Sequence, residues 1–423
     1  MVKAFIDTHR YKLLHALFAF VLYGNTLKNG YSLDDEFVTG PKNITAKGFE
    51  AIPRVFKTFH VIDESGNKYE YRPMVKVSFA IESGLFGQNV RISHFINILF
   101  YVICLLLMYK LLQLIFVNVS EFVIFSVVLV FEFLPIHSEV VASLKNRDVM
   151  LSFIFTMTSF IMFLKFFDVG KWYQLVIAFL CLVLAFLSKF DVLPFLAIIP
   201  MVAYVRNKVS IKQIVLVIIF FFVAYYSYKI TKILMFSREE LKSVRVYQYF
   251  ENPLYFNFGL IDRLSAGLNS MGFYVMMLFL PLKMACYYGY STIPVFSFSS
   301  LYALIGLIVF AFLIWQFYKR FKKPDMLWYG IVFFGGSISM YLNMAAPAAG
   351  IVADRFVFFA SIGFSLMCIH GLLLLKSSGS RISKFSELQA KQKMIGVVVL
   401  LVFAGMIINR NAEWKSKLLL FES

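Results

Sequence analysis

Three consecutive acids, Asp34, Asp35 and Glu36, follow the first long apolar segment of the chain. Charged groups beside membrane-length segments are costly, so they indicate function. A carboxylate there could take a proton from a hydroxyl or hold a metal ion. Adjacent residues of an extended segment point to opposite sides, so one aspartate is expected to face a substrate. We slightly favour Asp35 over Asp34 as general base and interpret Glu36 as a bystander. The alternative is a solvated loop cap.

Basic residues beside other apolar segments could bind a phosphate, which arginine holds with two parallel hydrogen bonds. The candidates are Arg355, Lys189, Arg72, Arg147 and Arg263, with the first three favoured. For each, a membrane-edge cation that only reaches the lipid headgroups is the alternative.

A third set of polar residues is expected to line the mouth of the same site. Its members are His137, Glu139, His94, Asn97 and Asp354. His94 and Asn97 share a helical face, so hydrogen bonding between helices is an equal alternative. His137 and Glu139 lack a third ligand of matching spacing, which is weak evidence for a metal. A divalent cation is kept open, with Asp34 and Asp35 as its ligands. Glu132, inside an apolar segment, has no assigned role.

Composition defines the elements that must position these residues. The chain has 423 residues, of which 60% are hydrophobic and only 15% charged. Soluble domains are nearer 45–50% apolar, so an all-α polytopic membrane protein is predicted. The net charge of +17 indicates cytoplasmic loops and contacts with membrane lipids, rather than nucleic acid. The four cysteines show neither metal-ligand spacing nor a disulfide framework.

Twelve apolar segments of near-membrane length recur along the chain. They lie at 13–27, 95–117, 119–138, 149–167, 172–188, 190–205, 211–235, 271–285, 299–318, 326–344, 355–375 and 394–409. The charge bias of loops predicts a cytoplasmic N-terminus. A full crossing by 271–285 would put the basic loop 376–393 outside. We therefore predict eleven spans, with 28–94 and 236–298 as outer regions. The second region would contain a re-entrant or interfacial segment, since Gly272 and Pro281 suit an irregular element.

The outer region 28–94 contains a helical apolar pattern. Phe49, Ile52, Phe56 and Phe59 recur at spacings of three and four residues, and Pro53 would break or restart the helix. The pattern predicts an amphipathic helix on the outer leaflet, with an ordinary packed loop helix as the alternative. With eleven spans, the acids and most other candidate residues share the outer side.

The ordered motifs of the chain resemble those of the GT-C superfamily of polytopic glycosyltransferases. They are most similar to the membrane part of the O-mannosyltransferases that carry tetratricopeptide repeats, and to bacterial relatives. The motifs run through most of the chain: Leu33-Asp34-Asp35, Tyr71-Arg72-Pro73-Met74, Phe86-Gly87, His94 and Asn97, Pro135 to Ala142, Asn146-Arg147-Asp148, Leu187-Ser188-Lys189, Glu251-Asn252-Pro253, Arg263, Leu280-Pro281, Ala353-Asp354-Arg355, Ser361-Ile362-Gly363, Asn411, Trp414 and Leu420-Phe421. Each piece is weak alone, whereas their joint order is specific. The family has an acid directly after the lysine, where this chain has Phe190 before Asp191.

The resemblance implies a single GT-C-like membrane domain over 1–423. It implies transfer of a sugar, such as a mannose-like hexose, from a polyprenyl-phosphate donor to a hydroxyl, with protein Ser/Thr as the expected acceptor. The repeats are expected to be absent or on a separate acceptor-binding subunit. The bacterial inner membrane is expected, with the site on the periplasmic face, and the endoplasmic reticulum is the alternative. A lipid or glycan acceptor, a non-catalytic scaffold and a transporter of lipid-linked sugars stay open. Transporters, however, usually place charges near mid-membrane and often have two matching halves.

Overall fold

The computed structural model describes residues 2–62, 66–242, 245–256, 259–282, 284–289, 292–374 and 389–422. Most of the basic loop 376–393 therefore lies outside the described residues. The helices in the described ranges are α1 Val2–Tyr23, α2 Ile52–Val55, α3 Pro73–Phe86, α4 Val90–Ile115, α5 Glu121–Glu132, α6 Ser138–Ala142, α7 Arg147–Val169, α8 Trp172–Ser188, α9 Phe195–Asn207, α10 Ile211–Met235, α11 Arg238–Lys242, α12 Leu260–Phe279, α13 Leu301–Arg320, α14 Met326–Ile338, α15 Ser361–Leu374, α16 Ala390–Glu413 and α17 Lys417–Glu422. Short 3-10 helices join several of them.

The prediction of an all-α polytopic membrane protein is confirmed. Within the described ranges, six helices are long and apolar enough to cross a membrane. The number is up to seven if Glu121–Glu132 and Pro135–Ala142, bent by 60°, form one span. Each of the eleven predicted spans falls on a helix, but several of those helices are short, so the count of eleven stays a prediction.

The chain forms two compact units, Met1–Arg245 with Ser380–Ser423, and Val246–Gly379. In the first unit, the end of α16 holds the segment that follows α1. Asn411 donates a hydrogen bond to the Leu22 carbonyl at 2.9 Å and accepts one at its own carbonyl from Asn29 at 2.9 Å. The Gly30 N–H reaches the Lys415 carbonyl at 3.1 Å. These bonds fix the chain just before the acid run. The expectation of one domain over the whole chain stays a prediction.

The region after α1 contains more structure than the sequence pattern predicts. A two-stranded antiparallel ribbon pairs β1 Val61–Ile62 with β2 Lys68–Tyr69. The predicted amphipathic helix is a 3-10 segment, Ile44–Ala51, which is kinked at Gly48 (φ 63°) and continues into the single turn of α2. Pro53 lies in that first turn, where its missing N–H costs little.

The apolar face of this segment packs against α3. Ala51 and Val55 form a buried cluster with Val77 and Ala80, whereas Phe49 is half exposed. This packing matches the alternative of a packed loop helix. Placement on the outer leaflet stays a prediction.

The second unit contains α12 to α15. Gly272 was expected in an irregular element, but it lies within the regular helix α12. A Cβ there would meet the Tyr302 carbonyl oxygen at 1.9 Å, and a Cβ on Gly306 would meet the Leu268 carbonyl oxygen at 2.0 Å. The two glycines therefore allow the backbones of α12 and α13 to cross closely, as small residues do between membrane helices.

Candidate active site

Asp35 is a buried carboxylate that joins two loops of the first unit. It lies in the 3-10 helix Leu33–Phe37 and is only 1% exposed. Its Oδ2 accepts a hydrogen bond from the Ser32 N–H at 2.9 Å, which makes a capping box with the Ser32 hydroxyl. Its Oδ1 accepts from the Lys145 N–H at 2.8 Å. Both oxygens are thus used to hold backbone.

Asp34 is the open carboxylate of the pair. Its side chain is 42% exposed, and its Oδ2 lies 3.6 Å from Lys145 Nζ. Leu33 just before it has a φ of 41°, a conformation that costs a leucine about 1–2 kcal/mol. The compact turn, rather than an extended strand, places one acid inside and its neighbour at the surface. Asp34, rather than the slightly favoured Asp35, is therefore the carboxylate that is open to solvent, and the choice of general base stays a prediction.

Burial also changes the proton affinity of Asp35. Loss of water raises the pKa of this carboxyl to about 6, and the neighbouring Asp34 charge adds to the effect. The hydrogen bonds from Ser32 and Lys145 act in the opposite direction. Asp35 therefore changes charge close to neutral pH.

Arg72 joins the ribbon to α7. Its Nη1 lies 2.5 Å from Asp148 Oδ2 and its Nη2 lies 3.0 Å from Glu70 Oε1. Burial would lower the pKa of Arg72, but the charges of Glu70 and Asp148 raise it above its ordinary value. Burial would likewise raise the pKa of Glu70, whereas Arg72 holds it down to about 2. The three residues form a fixed group with one positive and two negative charges.

Lys189 approaches the same group from the end of α8. It is 6% exposed, and its Nζ lies 3.4 Å from Asp191 Oδ2. Ser152 of α7 donates a hydrogen bond to the Lys189 carbonyl at 3.1 Å, which fixes the extended backbone between α8 and α9. Both Lys189 and Arg72 act electrostatically on Asp148. Asp191 therefore pairs with the lysine although Phe190 stands between them in the sequence.

Arg147 lies inside the bundle and is fully buried. It donates hydrogen bonds to Asn97 Oδ1 at 2.7 Å, to Glu82 Oε2 at 2.9 Å and to the Ser93 carbonyl at 3.0 Å. Its guanidinium carbon lies 3.6 Å from the centre of the Phe79 ring. These contacts make Arg147 a packing anchor between α3, α4 and α7.

The remaining polar candidates of the first unit are also buried among helices. Asn97 donates to the Val141 and Ser143 carbonyls at 3.2 and 3.3 Å. His137 Nδ1 lies 3.3 Å from the Tyr101 hydroxyl.

Two further candidates bind nearby backbone or side chains. His94 Nε2 lies 3.3 Å from the Gly30 carbonyl. Glu139 accepts hydrogen bonds from the side chain of Asn146, at 3.2 Å to its carbonyl and 3.4 Å to its Oε1. Like Asn97 and His137, His94 and Glu139 make hydrogen bonds within the protein. Their predicted roles at the mouth of the site stay predictions.

Three candidates belong to the second unit. Tyr288 donates a hydrogen bond to Asp354 Oδ1 at 2.6 Å, and Arg263 Nε donates to the Met344 carbonyl at 2.5 Å. The Arg355 guanidinium lies 5.0 Å from the centre of the Phe356 ring. Asp354 is buried, whereas Arg355 is partly exposed.

Four charged or titratable groups that the sequence pattern did not single out pair with the candidate residues or interact with them electrostatically. They are His60, Glu70, Glu82 and Lys145. The spacing of Glu70 and Arg72 gave a usable signal, since residues two apart in an extended segment point the same way. Ser32-Leu33-Asp34-Asp35 likewise resembles a capping box. His60 and Lys145 gave no local signal, because tertiary packing alone brings them here.

The acid pair does not fit a metal site. Both Asp35 oxygens accept backbone N–H groups, and Asp34 pairs with Lys145. In the described part of the chain, no group of three or more His, Cys, Asp or Glu side chains could hold a metal ion.

No family model matches the sequence. No curated protein matches it. A similar solved structure is the archaeal oligosaccharyltransferase AglB from Archaeoglobus fulgidus, in complex with an inhibitory peptide and a dolichol-phosphate. The identity is 12% and the TM-score 0.49. The match covers 97% of this chain and 56% of that one, so this chain spans about half of that protein's length.

Proposed function

We propose that this chain is a GT-C-type membrane glycosyltransferase that moves a sugar from a polyprenyl-phosphate donor to an acceptor hydroxyl. The observation that carries the proposal is the different environment of the two adjacent aspartates. Asp35 is buried and fully bonded to backbone, so Asp34 is held open beside Lys145. An accessible carboxylate fixed in this way suits a general base.

In the reaction, the acceptor oxygen attacks the anomeric carbon of the sugar. Asp34 takes the proton of the attacking hydroxyl. The bond between the anomeric carbon and the phosphate oxygen breaks, and its electron pair leaves with the lipid phosphate. Lys145 Nζ, 3.6 Å from Asp34 Oδ2, holds the carboxylate in place for this step.

The leaving phosphate gains charge and needs a cation. Lys189 suits this role because its buried ammonium has an ion pair at 3.4 Å but, among the residues that the structure describes, no hydrogen bond. Arg355 of the second unit stays a predicted phosphate ligand on the motif resemblance alone. Arg72 and Arg147 are already engaged by carboxylates, so we assign them to positioning.

The proposed acceptor is a protein serine or threonine and the proposed sugar a mannose-like hexose, on the periplasmic face of a bacterial inner membrane. These assignments rest on the motif resemblance. An acceptor-binding module on a separate chain is part of the same proposal.

The proposal is tested with purified protein in liposomes that contain radiolabelled polyprenyl-phosphate-mannose. A serine- and threonine-containing peptide and a lipid-linked glycan serve as alternative acceptors. Release of polyprenyl phosphate together with labelled peptide supports the proposal. Labelled glycan in place of labelled peptide would show that the acceptor is a glycan and not a protein. Mass spectrometry of glycoproteins and glycolipids from cells that lack the protein names the natural product. Normal glycosylation in those cells and no transfer in liposomes would reject the enzyme.

A further inference from the structure

His60 is a buried histidine with unused hydrogen-bonding capacity. The residue is 2% exposed, and among the described residues neither ring nitrogen has a hydrogen-bond partner. A buried polar group without a partner costs about 1–3 kcal/mol. Such a group in a native fold calls for a missing ligand or water.

The backbone around His60 is fixed, so the ring has a defined place. The His60 N–H donates to the Glu70 carbonyl at 2.8 Å at the base of the ribbon. Lys76 Nζ of α3 donates to the Phe59 carbonyl at 2.6 Å. These two bonds fix the backbone that carries the unused nitrogens, as a preorganised binding residue requires.

Charged groups from several elements surround this ring. Those acting on His60 are Arg72, Glu70, Asp148 and Lys145. We call His60, Glu70, Arg72 and Asp148 the His60 cluster. Asp148 is fully buried, and its Oδ1 also lacks a partner among the described residues while its Oδ2 binds Arg72.

The His60 cluster offers hydrogen-bonding groups that suit some ligands better than others. Burial lowers the pKa of His60 to about 3, so its ring is neutral at physiological pH. Arg72, the cation of the cluster, is engaged by Glu70 and Asp148 and so is not available to a phosphate. A neutral imidazole and a spare carboxylate oxygen together offer one donor and two acceptors, which match the hydroxyl groups of a sugar.

We propose that the His60 cluster binds the sugar ring of the lipid-linked donor, with His60 and Asp148 Oδ1 bonded to its hydroxyl groups. This assignment rests on the proposed function and adds to it. It assigns phosphate binding to Lys189 and recognition of the sugar to the His60 cluster. His60 then determines which sugar is accepted, since a site that bonds a hydroxyl strongly rejects analogues lacking it.

The test compares polyprenyl-phosphate-mannose with its 2-, 3-, 4- and 6-deoxy forms, by equilibrium binding to the full chain in detergent. One deoxy form should bind the wild-type protein at least about tenfold more weakly. In His60→Phe the intact donor should bind as weakly as that deoxy form, and the penalty for removing that hydroxyl should vanish. His60→Gln, which keeps a donor and an acceptor, should recover part of the preference.

Three controls decide among the outcomes. Polyprenyl phosphate without sugar should bind wild type and His60→Phe equally, and an equal loss for both lipids would assign His60 to the phosphate. Lys68→Gln changes the same ribbon at a partly exposed pair with Glu240, so it should leave every affinity unchanged. If His60→Phe does not fold, His60→Ala, which also removes both ring nitrogens, provides the same comparison.

The inference and the proposed function fail in distinguishable ways. If the effects of His60→Phe and of every deoxy substitution on donor affinity are additive, while the wild-type protein transfers sugar, only the inference is overturned. A wild-type protein that neither binds nor transfers any sugar-bearing lipid would overturn both.

Discussion

The Oδ1 atom of Asp35 accepts the backbone N–H of Lys145 at 2.8 Å, across 110 residues of sequence. This bond ties the turn after α1 to the loop before α7. It also brings the Lys145 ammonium to 3.6 Å from Asp34. The buried carboxylate of Asp35 thus fixes the positions of Asp34 and Lys145.

Loss of the hydrogen bond between Lys145 N–H and Asp35 Oδ1 should loosen the two segments that it joins. In Asp35→Ala, the Ser32 and Lys145 N–H groups lose their shared acceptor in a buried place, at a cost of about 1–3 kcal/mol each. We expect faster hydrogen exchange in 31–39 and 143–147 and loss of sugar transfer. Ser32→Ala should show a smaller increase, confined to the first segment. Unchanged exchange in 143–147 in Asp35→Ala would argue against the tie.

The transfer rate should rise with pH through about 6 in the wild-type protein. Below that pH Asp35 is protonated, and one of its oxygens no longer accepts well from backbone. The raised pKa has the opposite effect on stability. The folded state binds this proton more tightly than the unfolded state, so the stabilisation is complete below about 3.8 and is lost as the pH rises through about 6.

The pH dependence is checked by single-turnover transfer from pH 4.5 to 8, in wild type and in Asp35→Asn. The variant should lack the inflection near 6. An identical inflection in both proteins would assign that titration to another group.

The buried pair of Arg147 and Glu82 should support the fold, independently of chemistry. Removing one partner leaves an uncompensated buried charge, which typically costs about 3–5 kcal/mol. Glu82→Leu should therefore lower the midpoint of thermal unfolding in detergent. Glu82→Leu with Arg147→Met should recover part of the loss, because no charge is then left unpaired. A double variant as unstable as the sum of both single changes would contradict this view.

The close crossing of α12 and α13 should tolerate no side chain at Gly272. Alanine there places a Cβ 1.9 Å from the Tyr302 carbonyl oxygen, so the helices must separate. We expect Gly272→Ala to lower the yield of folded protein and its thermal midpoint. Gly335→Ala in α14 is the matched control, because a Cβ there meets nothing within 4 Å. Equal stability of both variants would contradict the packing described.

The sequence predicts the elements of this fold better than the arrangement of its site. Long apolar runs define helices because a membrane segment must satisfy its own backbone, so every predicted span falls on a helix. Gly272 shows the limit, since the same residue suits a break in a helix or a close crossing of two.

In the candidate site, the sequence names the acids and bases but does not indicate which partners each of them has. Adjacent acids were treated as an extended pair, whereas the Ser32 capping box folds them into a turn. Lys145 and His60 depend on contacts between distant segments, for which one sequence gives no pattern. In the sequence, Arg72, Arg147 and Lys189 are all cations beside apolar segments. Only their ion-pair partners in the structure distinguish their roles.

Asp34 is the proposed acceptor of the proton from the attacking hydroxyl. This role is tested by the rate of transfer from polyprenyl-phosphate-mannose to peptide by Asp34→Asn, with Glu36→Gln, an exposed neighbour, as control. Asp34 is at the surface, so both variants should fold and bind donor as the wild-type protein does. We predict a loss of about 10²–10⁴-fold in Asp34→Asn and an unchanged rate in Glu36→Gln. Wild-type transfer by Asp34→Asn would contradict the account.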